Sequence, residues 1–291
     1  MRIVVLGSRG QLGSKVVEAL SSRPGLAVTG TDRSRLDVTD SRALEDALRD
    51  LRPEWVVNCT AYTDVEKAEA EPEKAYLLND AAVGHIADAA LGCGARVLHV
   101  STDYVFSGDF GGAPPRPYHE GDAPAPLCVY AASKLAGERR LAAHEVHSTV
   151  LRTSWLYGGP GKNFLHTMLR VGSEALRAGR PVRVVADQRG TPTDAWSLAA
   201  QIGHVIHAGA EGLFHAASVG EATWFDFTRE IFSHAGLAVR LEPIGMADYP
   251  ARARRPTYSV LENRKLNELR LCVMPPWKEG LARAWKHIER K

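Results

Sequence analysis

Residues 2–13 read Arg2-Ile3-Val4-Val5-Leu6-Gly7-Ser8-Arg9-Gly10-Gln11-Leu12-Gly13, an apolar run that breaks into three glycines spaced three apart. A short apolar strand, a Gly-rich turn and the start of a helix form the context of a dinucleotide-binding turn. Gly7 allows the tight turn, Gly10 lets backbone approach a pyrophosphate, and Gly13 lets helix and strand pack closely. The helix that follows offers free N–H groups and a partial positive charge to a phosphate.

Working outward from this turn, apolar runs at 2–6, 27–30, 55–58, 97–101 and 149–152 read as strands. Between them, 11–21, 41–50, 72–91 and 130–143 read as helices. Near-continuous apolar strands alternating with helices indicate parallel strands buried on both faces, and right-handed crossovers make them a doubly wound α/β sheet of Rossmann type. After about Gly158 the rhythm changes. Helices at 164–177, 197–208, 224–235 and 277–289 are separated by longer Gly- and Pro-bearing loops, which suggests a smaller mixed α/β substrate domain. The expected division is 1–158, with part of 190–212 lent back to it, and 159–291. The biased stretch 108–126 is expected to be a surface loop lying over the site.

The 291 residues are 45% hydrophobic and 24% charged, with a net charge of +2, as in an ordinary soluble globular protein. Such a charge argues against nucleic acid or a membrane as partner. The basic run Arg252, Arg254, Arg255 is the one local exception; it reads as a solvated loop or as a phosphate clamp. Cys59, Cys93, Cys128 and Cys272 are scattered, with no metal-like spacing, and the opening residues do not read as a signal peptide. The expected compartment is the cytoplasm.

About twenty residues past the glycines, Asp32 stands where a carboxylate reaches an adenosine ribose 2′-OH, which favours NADH. Arg33 follows, and a guanidinium there pairs with the 2′-phosphate of NADPH. The two pull in opposite directions, so the cofactor reads as NADPH or NADH. Asp37 and Val38 either flank an adenine or, for Asp37, serve as a turn carboxylate. Further along, Tyr130-Ala131-Ala132-Ser133-Lys134 places a phenol and an ammonium one turn apart on one helix face. An ammonium there is expected to acidify Tyr130 as a proton donor, and Lys134 can also hold a nicotinamide ribose. Thr102, in Ser101-Thr102-Asp103 at a strand end, would hydrogen-bond the substrate oxygen.

The stretches GSRGQLG (7–13), LDVTD (36–40), AYTDVEKAE (61–69), STDYVF (101–106), VYAASKLAGE (129–138), LRTSWLYG (151–158), KNF (162–164), DQRGTPT (187–193) and ARRPTYS (253–259) run nearly the whole length. On them the chain resembles the dTDP-4-dehydrorhamnose reductase family of extended short-chain dehydrogenases, whose glycine spacing it shares. The resemblance implies catalytic Thr102, Tyr130 and Lys134. It implies cofactor contacts at Gly10, Gln11, Leu12, Asp32, Asp37, Val38, Ala61, Tyr62 and Thr63, and substrate contacts at Thr102, Asp103 and Trp155. It makes Arg255 a candidate partner of the substrate diphosphate, and has the 108–126 loop close over the sugar. The implied reaction is NAD(P)H-dependent reduction of the C4 ketone of a dTDP-4-keto-6-deoxy-L-hexose.

Some members form a Mg²⁺-bridged homodimer. The acids they use have no match in this chain, so no metal site is assigned, Mg²⁺ stays open and a homodimer is not supported. Related dehydratases carry Asp-Glu after the strand-end Thr, whereas this chain has Asp103-Tyr104 and lacks the second acid. A sister 4-ketoreductase of an antibiotic pathway, of the dihydrostreptose synthase type, would share every motif. A non-catalytic cofactor-binding regulatory subunit, as in methionine adenosyltransferase, would keep the fold.

Overall fold

The computed structural model describes residues 1–288. β1 (Arg2–Leu6), β2 (Ala27–Thr31), β3 (Trp55–Asn58), β4 (Arg96–Thr102) and β5 (Ser148–Thr153) stand where apolar runs predict strands, each within one residue at either end. They form a parallel sheet that a further strand, Gly212–His215, completes in the order 2-1-3-4-5 and then that strand. Alternation along β1 divides the core. Val4 and Leu6 join Leu44, Leu48, Ile86 and Val97 on one face, and Ile3 and Val5 join Val16, Leu20, Leu98 and Leu198 on the other. The edge strand β2 is less buried, as its Thr and Gly content suggests.

α1 (Gly13–Ser21) follows the glycine turn, and α2 (Ser41–Leu51) starts where the Asp40 side chain accepts from the Ala43 amide at 3.0 Å. The segment expected as one helix over 72–91 is composite. After α3 (Val65–Ala70), which the sequence reading missed, come α4 (Pro72–Tyr76), a π-turn (Leu77–Ala81) and α5 (Ala82–Gly92). The π-turn contains Asn79, which is fully buried. α6 (Val129–Ala142) carries the Tyr-Lys pair.

Beyond residue 158 the expected helices appear as α7 (Phe164–Arg177), α8 (Ala195–Ala208), α9 (Trp224–His234) and, after the short α10 (Arg264–Glu268), α11 (Trp277–Ile288). Glu289, the expected last residue of that final helix, lies outside the described residues. Short strands link these helices: β6 (Leu156–Tyr157) with β9 (Thr193–Asp194), β7 (Val182–Val185) with β12 (Leu241–Ile244), and β8 (Arg189–Gly190) with β11 (Ala222–Thr223). The sixth strand of the large sheet is β10. Tyr157, Leu165, Phe227, Trp277 and Leu281 make their own core. α8 instead packs on α1, and β10 extends the large sheet beside β5, so 195–215 is built onto the first half. Among the described residues no helix is long and apolar enough to cross a membrane.

Candidate active site

A cavity of about 440 Å³ opens at the carboxyl ends of the strands, where the order reverses between β1 and β3. This is where open α/β sheets bind ligands. Its walls come from the turn after β1 (Gly10, Gln11, Leu12), the segment after β3 (Thr60, Ala61, Thr63), the end of β4 (Thr102, Asp103), α6 (Tyr130, Lys134) and Trp155 after β5.

In the glycine turn Gly7 has φ +77°, and a Cβ on Gly13 would sit 2.2 Å from the Gly7 carbonyl oxygen, so both positions exclude larger residues. No side chain caps α1; the Ser14, Lys15 and Val16 amides turn to the Gly10 and Leu12 carbonyls, and the amides left for an anion are those of Gln11, Leu12 and Gly13, which make no hydrogen bond among the described residues. Ser101 and Thr153 also line the cavity, and their hydroxyls are buried without a hydrogen-bond partner among the described residues. Bare backbone, an uncapped helix and orphaned hydroxyls fit a phosphate-bearing, hydroxyl-rich ligand. Gln11 Nε2 donates to the Leu156 carbonyl at 2.8 Å and ties the turn to the second half.

At the end of β2, Asp32 is already engaged. Ser34 N and Oγ donate to its Oδ1 at 2.9 and 2.6 Å, and Arg9 Nε lies 2.8 Å from Oδ2. The Ser34 bonds, with Arg9 and Arg35 adding to them, hold this carboxyl below its ordinary value. Arg9, from the glycine turn, was not singled out in the sequence; its clue was a basic residue at a variable motif position. Arg33 is 91% exposed and paired with Asp37. Asp37 takes the turn role, accepting from Thr39 N and Oγ1 at 3.0 and 2.8 Å. The side chain of Val38 is packed into the core with Leu36 and Leu44.

Ala61 and Thr63 line the cavity, whereas Tyr62 does not. The Tyr62 hydroxyl donates to Glu71 at 2.7 Å, and that bond pushes the phenol up to about 12. Its amide donates to Asn79 Oδ1 at 2.8 Å, while Asn79 Nδ2 donates to Ser133 Oγ at 2.9 Å. The π-turn thus ties the segment after β3 to the helix carrying Tyr130. α6 comes so near that a Cβ at Gly137 would lie 2.1 Å from the Asn79 carbonyl oxygen.

Tyr130 and Lys134 share the cavity as their spacing predicts, but the electrostatics differ from expectation. Burial pushes the Tyr130 phenol up to about 12; the Thr102 hydrogen bond pulls it back in part and Asp103 pushes it further up. Lys134 does not acidify it in the ligand-free chain, because its Nζ is turned to the Val100 carbonyl at 2.7 Å and to His99. A phenol so raised is fully protonated at neutral pH, the state a proton donor needs. The Thr102 hydroxyl donates to Asp103 at 3.2 Å and accepts from the Tyr104 amide. Burial raises Asp103 to about 6 despite hydroxyl donors from Ser259, Ser154 and Thr102.

Trp155 adopts φ +44° and stacks on Trp224, ring centroids 3.5 Å apart and planes within 5°. Trp224, Lys162 and Asn163 complete this end of the cavity; the reading of the sequence gave none of them a role. Arg255 is not brought into the cavity. Its Nη2 donates to Glu66 Oε1 at 2.6 Å, and Glu66 Oε2 takes the Arg252 and Ala253 amides, so α3 holds this basic run. The 108–126 loop also differs from expectation, since none of its residues lines the cavity. Tyr118 pins it to 260–262 through two main-chain bonds and stacks on Phe106 at 4.1 Å.

A family model described as the RmlD substrate binding domain matches residues 1–290. The chain is 42% identical over 286 residues to the dTDP-4-dehydrorhamnose reductase of Mycobacterium tuberculosis (strain H37Rv), covering 97% of this chain and 92% of that protein. The chain belongs to the dTDP-4-dehydrorhamnose reductase family. Among solved structures of that family, the Bacillus anthracis enzyme in complex with NADP superposes with a TM-score of 0.92 at 36% identity, covering 98% of this chain and 99% of that one. The ortholog from Clostridium acetobutylicum gives 0.94 at 35%, covering 99% and 100%.

Proposed function

We propose that the chain is a dTDP-4-dehydrorhamnose reductase that uses NAD(P)H to reduce the C4 ketone, forming dTDP-L-rhamnose. The observation that carries this reading is one cavity walled by the glycine turn, Thr102, Tyr130 and Lys134. The bound nicotinamide supplies the hydride. Thr102 and Tyr130 hydrogen-bond the ketone oxygen, and Tyr130 donates its phenolic proton as charge builds there. Lys134 holds the nicotinamide ribose. Asp103, Trp155, Trp224, Lys162 and Asn163 form the sugar-nucleotide end. In this reading residues 1–158 with part of 190–212 bind the dinucleotide, and 159–291 bind the sugar nucleotide.

The test is an absorbance assay of NADPH oxidation with dTDP-4-dehydrorhamnose, the product assigned by NMR. Stoichiometric oxidation to the rhamnose nucleotide is expected. Turnover with a different dTDP-4-keto sugar alone would make the chain a sister reductase, and none with any would sink the enzyme reading.

NADPH is the preferred donor in this reading, because Arg9 masks the Asp32 carboxylate and leaves a largely exposed guanidinium beside it. A charge-assisted bond to a phosphate is worth about 1.5–3 kcal/mol, so Arg9→Ala should weaken NADPH about tenfold or more. NADH affinity should change little. Equal losses for the two, measured by fluorescence titration, would remove Arg9 from the 2′-phosphate site.

A further inference from the structure

Behind the cavity, a line of polar side chains has its hydrogen-bond directions fixed from one end. The Thr60 amide can only donate, and Asn58 Oδ1 accepts from it at 2.9 Å and from the Thr60 hydroxyl at 2.6 Å. The other terminal atom of Asn58 is therefore the NH₂. It lies 3.0 Å from His99 Nδ1, which must accept. His99 is buried, and burial is the main cause that drives its pKa well below the ordinary value, so the ring is neutral and carries one hydrogen. With Nδ1 accepting, that hydrogen is on Nε2. Nε2 lies 3.1 Å from Lys134 Nζ, which also donates to the Val100 carbonyl at 2.7 Å. An ammonium has three donors and no lone pair, so it would face His99 donor to donor. A neutral amine accepts from Nε2 and completes the line.

We propose that His99, held in this tautomer by Asn58, is a positioning residue that biases Lys134 toward the neutral amine in the nucleotide-free chain, so that nucleotide binding draws a proton from solvent onto it. The inference rests on Lys134 being the ribose-holding residue of the reductase reading. Ribose hydroxyls accept from an ammonium, and the dinucleotide phosphates add negative charge, so the bound state favours the charged form.

The surroundings agree. Burial brings Lys134 down to about 8, with Glu138 and Cys59 pulling the other way. From β4 it faces His99 and the Val100 carbonyl, and from the end of β3 Cys59, a thiol that burial raises to about 12. On its own helix stand Tyr130 and Glu138, the latter held by Arg152. The sign follows from the lowered value. Below about pH 8 the ammonium is already present and binding takes up little. Above it each binding event must add a proton, and affinity falls with pH until the value of Lys134 in the complex is reached.

The test is calorimetry of NADPH binding to the full chain near pH ~9, in two buffers of different ionisation enthalpy. Uptake of more than about half a proton is expected; binding without uptake overturns the inference while leaving the reductase reading intact. Absence of NADPH binding would overturn both. His99→Phe keeps a ring but removes the Nε2 donor, and should move the alkaline limb of kcat/KM upward by about one pH unit. Were Nε2 instead accepting from an ammonium, the same variant would move the limb downward, and a downward or unmoved limb overturns the wiring. Asn58→Asp, whose carboxylate takes a hydrogen on Nδ1 and so turns Nε2 into an acceptor, should also shift the limb upward; an unshifted limb there counts against it.

Discussion

Tyr130→Phe is expected to lower kcat by about 10²–10⁴-fold while NADPH affinity stays within about twofold. The substitution removes one hydroxyl from a half-buried ring and leaves the glycine turn and Lys134 in place. The loss should fall on kcat rather than KM, because the proton is transferred only as the ketone oxygen gains charge. With the phenol raised to about 12, the wild-type donor stays protonated across the physiological range. Its contribution should therefore show no titration near neutrality. Single-turnover stopped-flow of NADPH oxidation separates the chemical step from product release. A Phe variant with the wild-type rate would mean that another group supplies the proton.

The second large effect is on stability. Arg152 on β5 and Glu138 on α6 form a buried pair, with side-chain exposures of 3% and 7%, and two of the guanidinium nitrogens reach the carboxylate at 2.6–3.1 Å. Glu138→Ala leaves that guanidinium buried without its counter-charge, for which the cost is about 3–5 kcal/mol. That is a large part of the 5–15 kcal/mol typical of a domain. Urea denaturation should show it as a lower midpoint. By contrast, Glu174→Ala breaks the exposed Arg170–Glu174 pair and should cost under about 1 kcal/mol. A Glu138→Leu, Arg152→Met double variant should recover most of the loss, because apolar packing can replace a buried pair. If the single and double variants were equally destabilised, packing rather than an uncompensated charge would be the cause.

Of the five leading strands, β1, β3, β4 and β5 were legible because strands inside a parallel sheet are buried on both faces and leave mostly apolar runs, while the edge strand β2 was legible from its place in the strand–helix alternation. β10 was not: Gly-Leu-Phe-His is short and its place beside β5 is fixed by tertiary contact. The two-residue strands β6, β8, β9 and β11 are too short to carry a period. In the site, Gly7, Gly13, Tyr130 and Lys134 were readable because backbone geometry and helix spacing constrain them locally. Asn79 and His99 were not, since their partners are 54 and 35 residues away in sequence. Each nevertheless left a trace, a polar side chain inside an otherwise apolar or helical run. Trp224 left less, because an aromatic at the start of an amphipathic helix reads as core until its stacking on Trp155 is seen.

Much of the cavity wall is made of the last residues of β4 and β5 and of connections leaving that same end of the sheet, with Tyr130 and Lys134 of α6 and Trp224 of α9 completing it. Rigidity and selectivity are therefore encoded in different residues. On the proposed reading, the side chains at the Trp155 end of the cavity can be exchanged while the framework stays intact, so a change of preferred hexose does not require relearning how to fold.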